Sequence, residues 1–296
     1  MERRIIEWDQ GWNSIQEGIM NIKWRIAEGL PENQVNAPVY VDIYTTIYNM
    51  CIQKPPHDYA QQFYDKYQKT FEEHLTSTVL PSLKAKHEEF LLQEFVKSWA
   101  DHKVMLRWMS RAFSYLDRYF LAQRRLPGLK EAAIIYYRNL VYQEVNANVR
   151  EAAIRLIDEE REGGEIDRAL LKNVIDIFVE IGAGQMDAYE KDFEGYMLND
   201  TRDYYSRRAS RWMLEDSYTS YMLKAEACLR REKDIVSHYL HPRSEQKLVA
   251  IVEHELLVFY KTQLTEKKHS DSGSSTFTGD DNVEYLSRKL AANGIL

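Results

Sequence analysis

The amino-acid sequence predicts an all-α protein, and three observations lead to this fold class. Glycine and proline are scarce, 12 and 7 among 296 residues, against a usual joint share of about 12%. Apolar residues recur at three- and four-residue steps, the period of an amphipathic helix. No segment has the alternation of a half-buried strand flanked by hairpin turns. So long a helical chain predicts stacked helical units, an elongated α-solenoid-like stalk, rather than one compact bundle.

The predicted helices follow one another with short polar breaks. The first runs from Trp8 to Ile26, where apolar side chains keep the helical period. Gly29-Leu30-Pro31 ends it, because proline lacks an amide hydrogen and disfavours a helical residue before it. Further helices are predicted over residues 39–51, 59–75, 84–98, 101–122, 129–158, 165–181, 184–198, 201–214, 217–240 and 244–264.

Two pairs of segments are similar in sequence and occur in the same order along the chain, which indicates an internal repeat. Tyr67–Glu72 is matched by Tyr189–Glu194, and the apolar helix over residues 39–51 has a counterpart over 170–179. We therefore predict two repeats of roughly five helices each, residues 1–158 and 159–265, joined near a polar turn at 160–165. Residues 266–296 are predicted as a mobile loop and the start of an incomplete third repeat, since the loop is rich in small polar residues.

Charge and hydropathy exclude several classes of partner. Acidic residues outnumber basic ones by 46 to 39, a net charge of -7, which argues against a nucleic-acid partner. No apolar stretch approaches the ~20 residues that cross a bilayer, and Met1–Trp8 lacks the pattern of a signal peptide. The two distant cysteines, Cys51 and Cys228, fit a reducing compartment. We expect a protein of the cytoplasm and nucleus, with no nucleic-acid or membrane partner.

Signatures of enzyme chemistry are missing from the sequence. Gly182-Ala183-Gly184 lacks the third glycine of a dinucleotide-binding turn. His254-Glu255 begins a zinc-protease motif, but Val258 stands where the second histidine ligand belongs. His238 and His241 have no cysteine or carboxylate pair at ligand spacing beside them. We predict a protein that is not an enzyme, with no catalytic residue, metal or cofactor.

Aromatic side chains are the strongest functional candidates, with 20 tyrosines and 6 tryptophans. Tyrosine is favoured at protein interfaces because its ring buries area while its hydroxyl stays wet. Tyr40, Tyr44 and Tyr48 recur at four-residue spacing, with Val41 beside them. One helix cannot bury all of these against a single neighbour. Either the whole set is core, or Tyr40, Val41 and Tyr44 project outward as anchors of an interface.

A second aromatic run also carries two apolar stripes on one helix. One stripe consists of Trp108, Ala112, Tyr115 and Tyr119, and the other of Met109, Phe113, Leu116 and Phe120. Two stripes imply two contacts, one internal and one available to a partner. Basic residues lie among these aromatics, a pattern found in nucleic-acid-binding proteins. Neighbouring acidic residues, however, reduce the local positive charge. The run therefore favours a protein partner.

Several stretches resemble the cullin family, and the likeness runs in order from residue 1 to about residue 265. The stretches that carry it are Tyr44–Cys51, Leu116–Phe120, Arg155–Gly163, Ile181-Gly182, Tyr204–Ser210 and Tyr221–Glu226. Gln53–Tyr59 is similar to the plant version of the cullin that builds SCF ubiquitin ligases. The chain thus resembles the N-terminal repeat region of a plant SCF-type, or class one, cullin.

That resemblance implies a stalk of five-helix cullin repeats and a non-catalytic scaffold role in an SCF-type cullin–RING ubiquitin ligase. In the family, the second and fifth helices of the first repeat bind a Skp-type adaptor, which carries an F-box protein. Carried onto this sequence, the implied adaptor contacts are Tyr40, Val41, Tyr44, Tyr48, Trp108, Ala112, Tyr115 and Tyr119.

The likeness changes towards the end of the sequence. Asp280–Arg288 is similar to the opening of a third cullin repeat, whereas Lys289–Leu296 departs from the family pattern. The globular region with which cullins bind a RING protein has no counterpart, so no RING-protein site is expected in this chain. Two alternatives stay open: a truncated cullin-like decoy that sequesters adaptor–F-box pairs, and a helical-repeat tether unrelated to ubiquitin.

Overall fold

The computed structural model describes residues 5–29, 37–182 and 184–272, and every regular element within those ranges is helical. The predicted all-α fold class is therefore confirmed. The α-helices are α1 Trp8–Ala27, α2 Ala37–Cys51, α3 Ala60–His74, α4 Leu80–Lys84, α5 Glu88–Ala112, α6 Ala122–Arg124, α7 Leu129–Tyr137, α8 Gln143–Arg161, α9 Arg168–Glu180, α10 Asp187–Tyr189, α11 Gly195–Glu215, α12 Tyr218–His238, α13 Glu245–Glu253 and α14 Lys261–Ser272. Shorter turns lie between them: π-helical Leu75–Val79, Leu116–Leu121, Arg138–Tyr142, Glu190–Glu194 and His254–Val258, and the 3-10 turn Pro242–Ser244.

Helix α1 follows directly from its sequence pattern. Ile15, Ile19 and Ile22 recur on one face and are buried, as the helical period requires. The helix ends just before Gly29, whose φ of +64° lies in the left-handed region. Glycine is the residue that adopts this conformation without a steric cost, which makes it a common helix stop.

Two predicted helix breaks are wrong. Helix α5 runs without interruption through Trp99 and Ala100, and the chain from α10 to α11 stays helical through Asn199 and Asp200. Neither place holds a glycine or a proline, so nothing in the backbone forces a break. The real interruption falls at Phe113, which caps α5 with φ -95° and ψ 14°.

The predicted loop at the C-terminal end begins later than expected. Helix α14 continues to Ser272, although the loop was predicted from residue 266. Lys261–Ser272 contains neither glycine nor proline, so the helix can continue through this polar stretch. Residues 273–296, including the predicted start of a third repeat, lie outside the described residues.

The chain forms two compact units, Met1–Ala152 and Ala153–Leu296. In the first unit, α1 packs on α2 and α5, and α5 also packs on α7. Its core is rich in aromatic rings, among them Phe63 and Tyr67, each of which contacts Phe113. Tyr67 is fully buried and donates its hydroxyl to the Leu129 carbonyl at 2.9 Å. The predicted repeat boundaries depend on internal similarity rather than on contacts and stay a prediction.

The second unit has a buried ion pair at its centre. Arg161 and Glu232 are 1% and 0% exposed. The guanidinium donates from Nε at 2.9 Å and from Nη2 at 3.1 Å to the two carboxylate oxygens. It also donates to the Thr201 hydroxyl at 2.7 Å, and Tyr205 donates to Glu232 at 2.6 Å. Burial opposes the charge on Arg161, but Glu232 outweighs it and raises the pKa of Arg161 above its ordinary value. The pair thus ties α8 to α11 and α12.

Acid weakens the first unit through His102, which is 2% exposed and donates from Nε2 to the Ala133 carbonyl at 3.0 Å. Burial lowers the pKa of His102 from 6.5 to about 4. Because the folded pKa is depressed, the neutral imidazole contributes stability that is present above pH 6.5 and lost as the pH falls towards 4. Between pH 7 and pH 5 we expect this group to lower the free energy of unfolding by about 2 kcal/mol.

The test compares the pH dependence of the free energy of unfolding in His102→Gln and His87→Gln, since His87 is exposed on the surface. We expect the His102 variant to lose less stability than the wild type between pH 7 and pH 5, and the His87 variant to match the wild type. A His102 variant with the wild-type pH dependence contradicts the prediction.

Candidate functional site

Helix α2 has one buried face and one face open to solvent. Ile43, Ile47 and Met50 are buried against the core of the first unit. On the other side, Val41 is 51% and Tyr48 is 37% exposed. Tyr40 and Tyr44 are half-buried between these two faces. The tyrosines of α2 therefore lie at the surface, and Tyr40 also packs against the core of the first unit.

Five partly or fully exposed tyrosines form one continuous series of ring contacts, which we call the tyrosine ladder: Tyr40, Tyr44, Tyr48, Tyr115 and Tyr119. On α2 the rings stack, with centroids 6.5 Å apart between Tyr40 and Tyr44 and 6.3 Å between Tyr44 and Tyr48. Tyr48 then meets Tyr115 edge-on at 5.6 Å, and Tyr115 contacts Tyr119 at 4.9 Å. Two elements distant in sequence thus build one aromatic surface.

The hydroxyls of the ladder are uncommitted within the part of the chain that the structure describes. No hydrogen bond joins the hydroxyls of Tyr40, Tyr44, Tyr48, Tyr115 or Tyr119 to the described residues. Burial raises the pKa of Tyr115, and the neighbouring Cys51 and Asp58 raise it further, so this phenol stays neutral at physiological pH. The ladder can therefore offer apolar ring area and hydrogen-bonding hydroxyls to another molecule at the same time.

Two residues predicted as surface contacts lie in the core instead. Trp108 is 7% and Ala112 is 1% exposed, because both belong to the hydrophobic core of the first unit. The helix then ends, and the chain turns at Phe113. Beyond the turn Tyr119 is 53% exposed and Tyr115 half-buried. The predicted stripe thus divides at the turn: Trp108 and Ala112 lie in the core, and only Tyr115 and Tyr119 belong to the ladder.

A cavity of about 580 Å³ lies beyond the end of α2, and sequence reasoning did not single it out. It is lined by Ile5, Ile6, Asn49, Ile52, Gln53, Lys54, Pro55 and His57. The Gln53 side chain accepts from the Ile6 amide at 2.7 Å and donates to the Ile6 carbonyl at 3.1 Å. It thereby fixes the chain before α1. A single glutamine in the sequence does not indicate that its side chain will hydrogen-bond to a distant backbone segment.

Titratable side chains in the described ranges do not gather into a metal-binding cluster. Among them, no three histidine, cysteine or acidic side chains converge as a metal site would require. Burial raises the pKa of the Cys51 thiol to about 12, which keeps it protonated and a poor nucleophile. His254 Nδ1 lies 3.0 Å from Oε1 of the neighbouring Glu255. None of the helices in the described ranges is both long enough and apolar enough to cross a bilayer.

An all-α repeat fold with an exposed aromatic ladder is typical of proteins that bind other proteins. The family model for the cullin alpha solenoid domain matches residues 12–288. The chain belongs to the cullin family.

Plant cullins are among the proteins most similar in sequence. Cullin-1 of Oryza sativa subsp. japonica is 58% identical over 287 residues, which cover 97% of this chain and 38% of the rice protein. Putative cullin-like protein 1 of Arabidopsis thaliana is 46% identical over 288 residues, 97% of this chain and 40% of that protein. The chain thus spans about two fifths of the length of these two relatives.

A third plant relative matches over nearly its whole length. Cullin-like protein 3 of Arabidopsis thaliana is 44% identical over 246 residues, 83% of this chain and 94% of that protein. The likeness of the sequence to plant cullins is therefore confirmed.

Proposed function

We propose that this chain is a non-catalytic scaffold of an SCF-type cullin–RING ubiquitin ligase, and that its tyrosine ladder binds a Skp-type adaptor paired with an F-box protein. The single observation that carries the proposal is the ladder itself. Five rings from two elements lie on one surface of the first unit, and their hydroxyls are free of partners among the described residues. Membership of the cullin family supports the same role.

The contacts of this docking surface fall into two groups. Tyr40, Val41, Tyr44 and Tyr48 of α2 are the anchors, joined by Tyr115 and Tyr119 after the turn. Trp108 and Ala112 contribute indirectly, because both are buried in the core of the first unit. Tyrosine rings contribute strongly to binding free energy, because each offers a large rigid contact area and has few rotatable bonds to order.

The proposed mechanism is geometric rather than chemical. A scaffold that holds an adaptor-bound substrate near the transfer machinery raises the effective concentration of that substrate. It needs no nucleophile, which agrees with the protonated Cys51 thiol. We propose that the protein acts in the cytoplasm and nucleus, with no nucleic-acid or membrane partner.

Co-purification tests the proposal. The chain is mixed with a Skp-type adaptor bound to an F-box protein, and the mixture is separated by size-exclusion chromatography. We expect the three proteins to elute together. Separate elution of the chain and the adaptor pair contradicts the proposal and favours a helical-repeat tether outside ubiquitin chemistry.

A second candidate function is suggested by Cullin-like protein 3, which aligns with this chain over 94% of its own length. A cullin-family chain that binds adaptor–F-box pairs without delivering ubiquitin acts as a decoy. Adding the 296-residue chain to a reconstituted SCF ligase separates the two functions. A decoy lowers ubiquitination of the substrate as its concentration rises, whereas a scaffold supports ubiquitination once the missing ligase parts are supplied.

A further inference from the structure

Two aspartates of the second unit approach the same buried guanidinium. Asp158 lies one helical turn before Arg161 on α8, and its Oδ1 accepts from Nη1 of Arg161 at 3.1 Å. Asp200 belongs to α11, and its Oδ2 lies 3.6 Å from the same Nη1, which is too far for a hydrogen bond. The two carboxyl groups therefore meet where α8 faces α11.

This guanidinium has a third carboxylate to satisfy. Nε and Nη2 of Arg161 both donate to Glu232 of α12. One positive charge is thus shared among the carboxyl groups of Asp158, Asp200 and Glu232. The best-aligned hydrogen bonds go to Glu232, and the contact with Asp200 is the longest of the three.

The other charged side chains around the two aspartates have partners of their own or lie in solvent. Arg208 of α11 pairs with Glu162 at the end of α8, with an Nη2–Oε2 distance of 2.6 Å. Arg231 of α12 donates to a backbone carbonyl at the end of α8. Arg207 attracts the carboxylate of Asp200, but it is exposed, and solvent weakens an attraction at such a position. The buried guanidinium is therefore the main positive charge that the two aspartates share.

One oxygen of Asp200 lacks the donor that a buried acceptor needs. Oδ2 of Asp200 is shielded from solvent, and no group in the described ranges donates a hydrogen bond to it. The carboxyl group of Asp158 lies within hydrogen-bonding reach of Asp200, but two ionised carboxylates have acceptors only. A proton on one of them supplies the missing donor and removes the repulsion between two like charges.

The acidity of Asp200 agrees with a proton held at this place. Burial raises the pKa of Asp200, and repulsion by Asp158 raises it further, from 3.8 to about 6, although Arg161 and Arg207 oppose the change. Because the folded pKa is raised, the protonated group contributes stability that is fully present below pH 3.8 and is lost as the pH rises through 6. His102 in the first unit has the opposite dependence.

We propose that Asp158 and Asp200 share one proton, which holds α8 against α11 in mildly acidic solution and leaves as the solution becomes neutral. The protonated pair forms a hydrogen bond between a carboxyl group and a carboxylate. The deprotonated pair repels, and this contact between the two helices is weakened. The inference concerns the stability of the second unit and does not depend on the proposed function.

Carbon-13 NMR of the 296-residue chain, labelled at its aspartate carboxyl groups, measures the protonation of Asp200 directly. Asp200→Asn identifies the resonance, and we expect its wild-type midpoint near pH 6. Asp158→Asn removes the negative neighbour and keeps an oxygen for Arg161, so the midpoint is expected to fall towards the ordinary value of about 3.9. Asp203→Asn, at an exposed position of the same helix, is the matched control and is expected to leave it unchanged. A wild-type midpoint below about pH 4.5 overturns the inference.

Urea unfolding at pH 5 and pH 7 tests the effect on stability. The amide of Asp200→Asn donates at every pH and so imitates the protonated aspartate. Relative to this variant, we expect the folding equilibrium constant of the wild type to fall about fivefold from pH 5 to pH 7. Asp203→Asn is expected to keep the wild-type pH dependence. Equal pH dependence in the wild type and Asp200→Asn contradicts the inference, and the wild-type NMR titration decides if that variant does not fold.

Discussion

Alanine at both Tyr40 and Tyr44 is expected to weaken binding of a Skp-type adaptor by about two to three orders of magnitude. Each ring is an anchor of the proposed interface, and truncating such an anchor costs on the order of 2 kcal/mol, roughly 30-fold in Kd. The two rings stack with centroids 6.5 Å apart, so their effects are coupled, and the double variant is expected to lose less than the sum. Isothermal titration of the chain with the adaptor–F-box pair measures the change.

The control for this experiment is Tyr196→Ala. Tyr196 is 52% exposed on α11 in the second unit, so its truncation removes a comparable surface ring outside the ladder. We expect its affinity for the adaptor pair to equal that of the wild type. Circular dichroism of the double variant verifies that α2 remains helical. A correctly folded Tyr40→Ala, Tyr44→Ala variant that binds with wild-type affinity removes the ladder from the interface.

Replacing Arg161 by methionine is expected to destabilise the second unit by about 3–5 kcal/mol. The substitution leaves Glu232, which is 0% exposed, as a buried carboxylate without its cation. Tyr205 still donates to Glu232 at 2.6 Å, but one neutral hydrogen bond cannot offset the desolvation of a charge. Urea unfolding followed by circular dichroism measures the loss. Hydrogen exchange of the α11 and α12 amides shows whether it lies in the second unit.

Two further variants distinguish a buried ion pair from a generally sensitive fold. Arg161→Met combined with Glu232→Leu removes both charges, and we expect it to regain most of the lost stability. Lys172→Met breaks the exposed ion pair with Asp176, whose Nζ–Oδ1 distance is 2.8 Å, and its effect is expected to stay below about 1 kcal/mol. If the double variant is no more stable than Arg161→Met, the uncompensated charge is not the cause of the loss.

Much of the fold could be predicted from the sequence because helices are set by local rules. Period and stop signals predicted α1 and its end at Gly29, where a positive φ suits glycine. The interruption at Phe113 was not predicted, since neither glycine nor proline marks it. The clamp of Gln53 on Ile6 was also missed, because it joins residues 47 positions apart.

The candidate site was predicted only in part. The spacing of Tyr40, Tyr44 and Tyr48 placed three rings on one face of a helix, and the structure has them stacked. The same reasoning put Trp108 on the surface, yet that ring is 7% exposed. Helical phase assigns a residue to a face, but it does not say which neighbouring helix covers that face.

The sequence alone determined that this protein is helical, that it resembles cullins and that its tyrosines recur at helical spacing. Only the tertiary structure decided which aromatic rings face solvent, because exposure depends on where α2 lies against α5. It also decided that Tyr48 and Tyr115 touch and that Arg161 meets Glu232. The physical reason is the range of the forces involved. Backbone hydrogen bonds and side-chain periodicity act within a few residues, whereas burial and ion pairing join side chains that only the packed chain brings together.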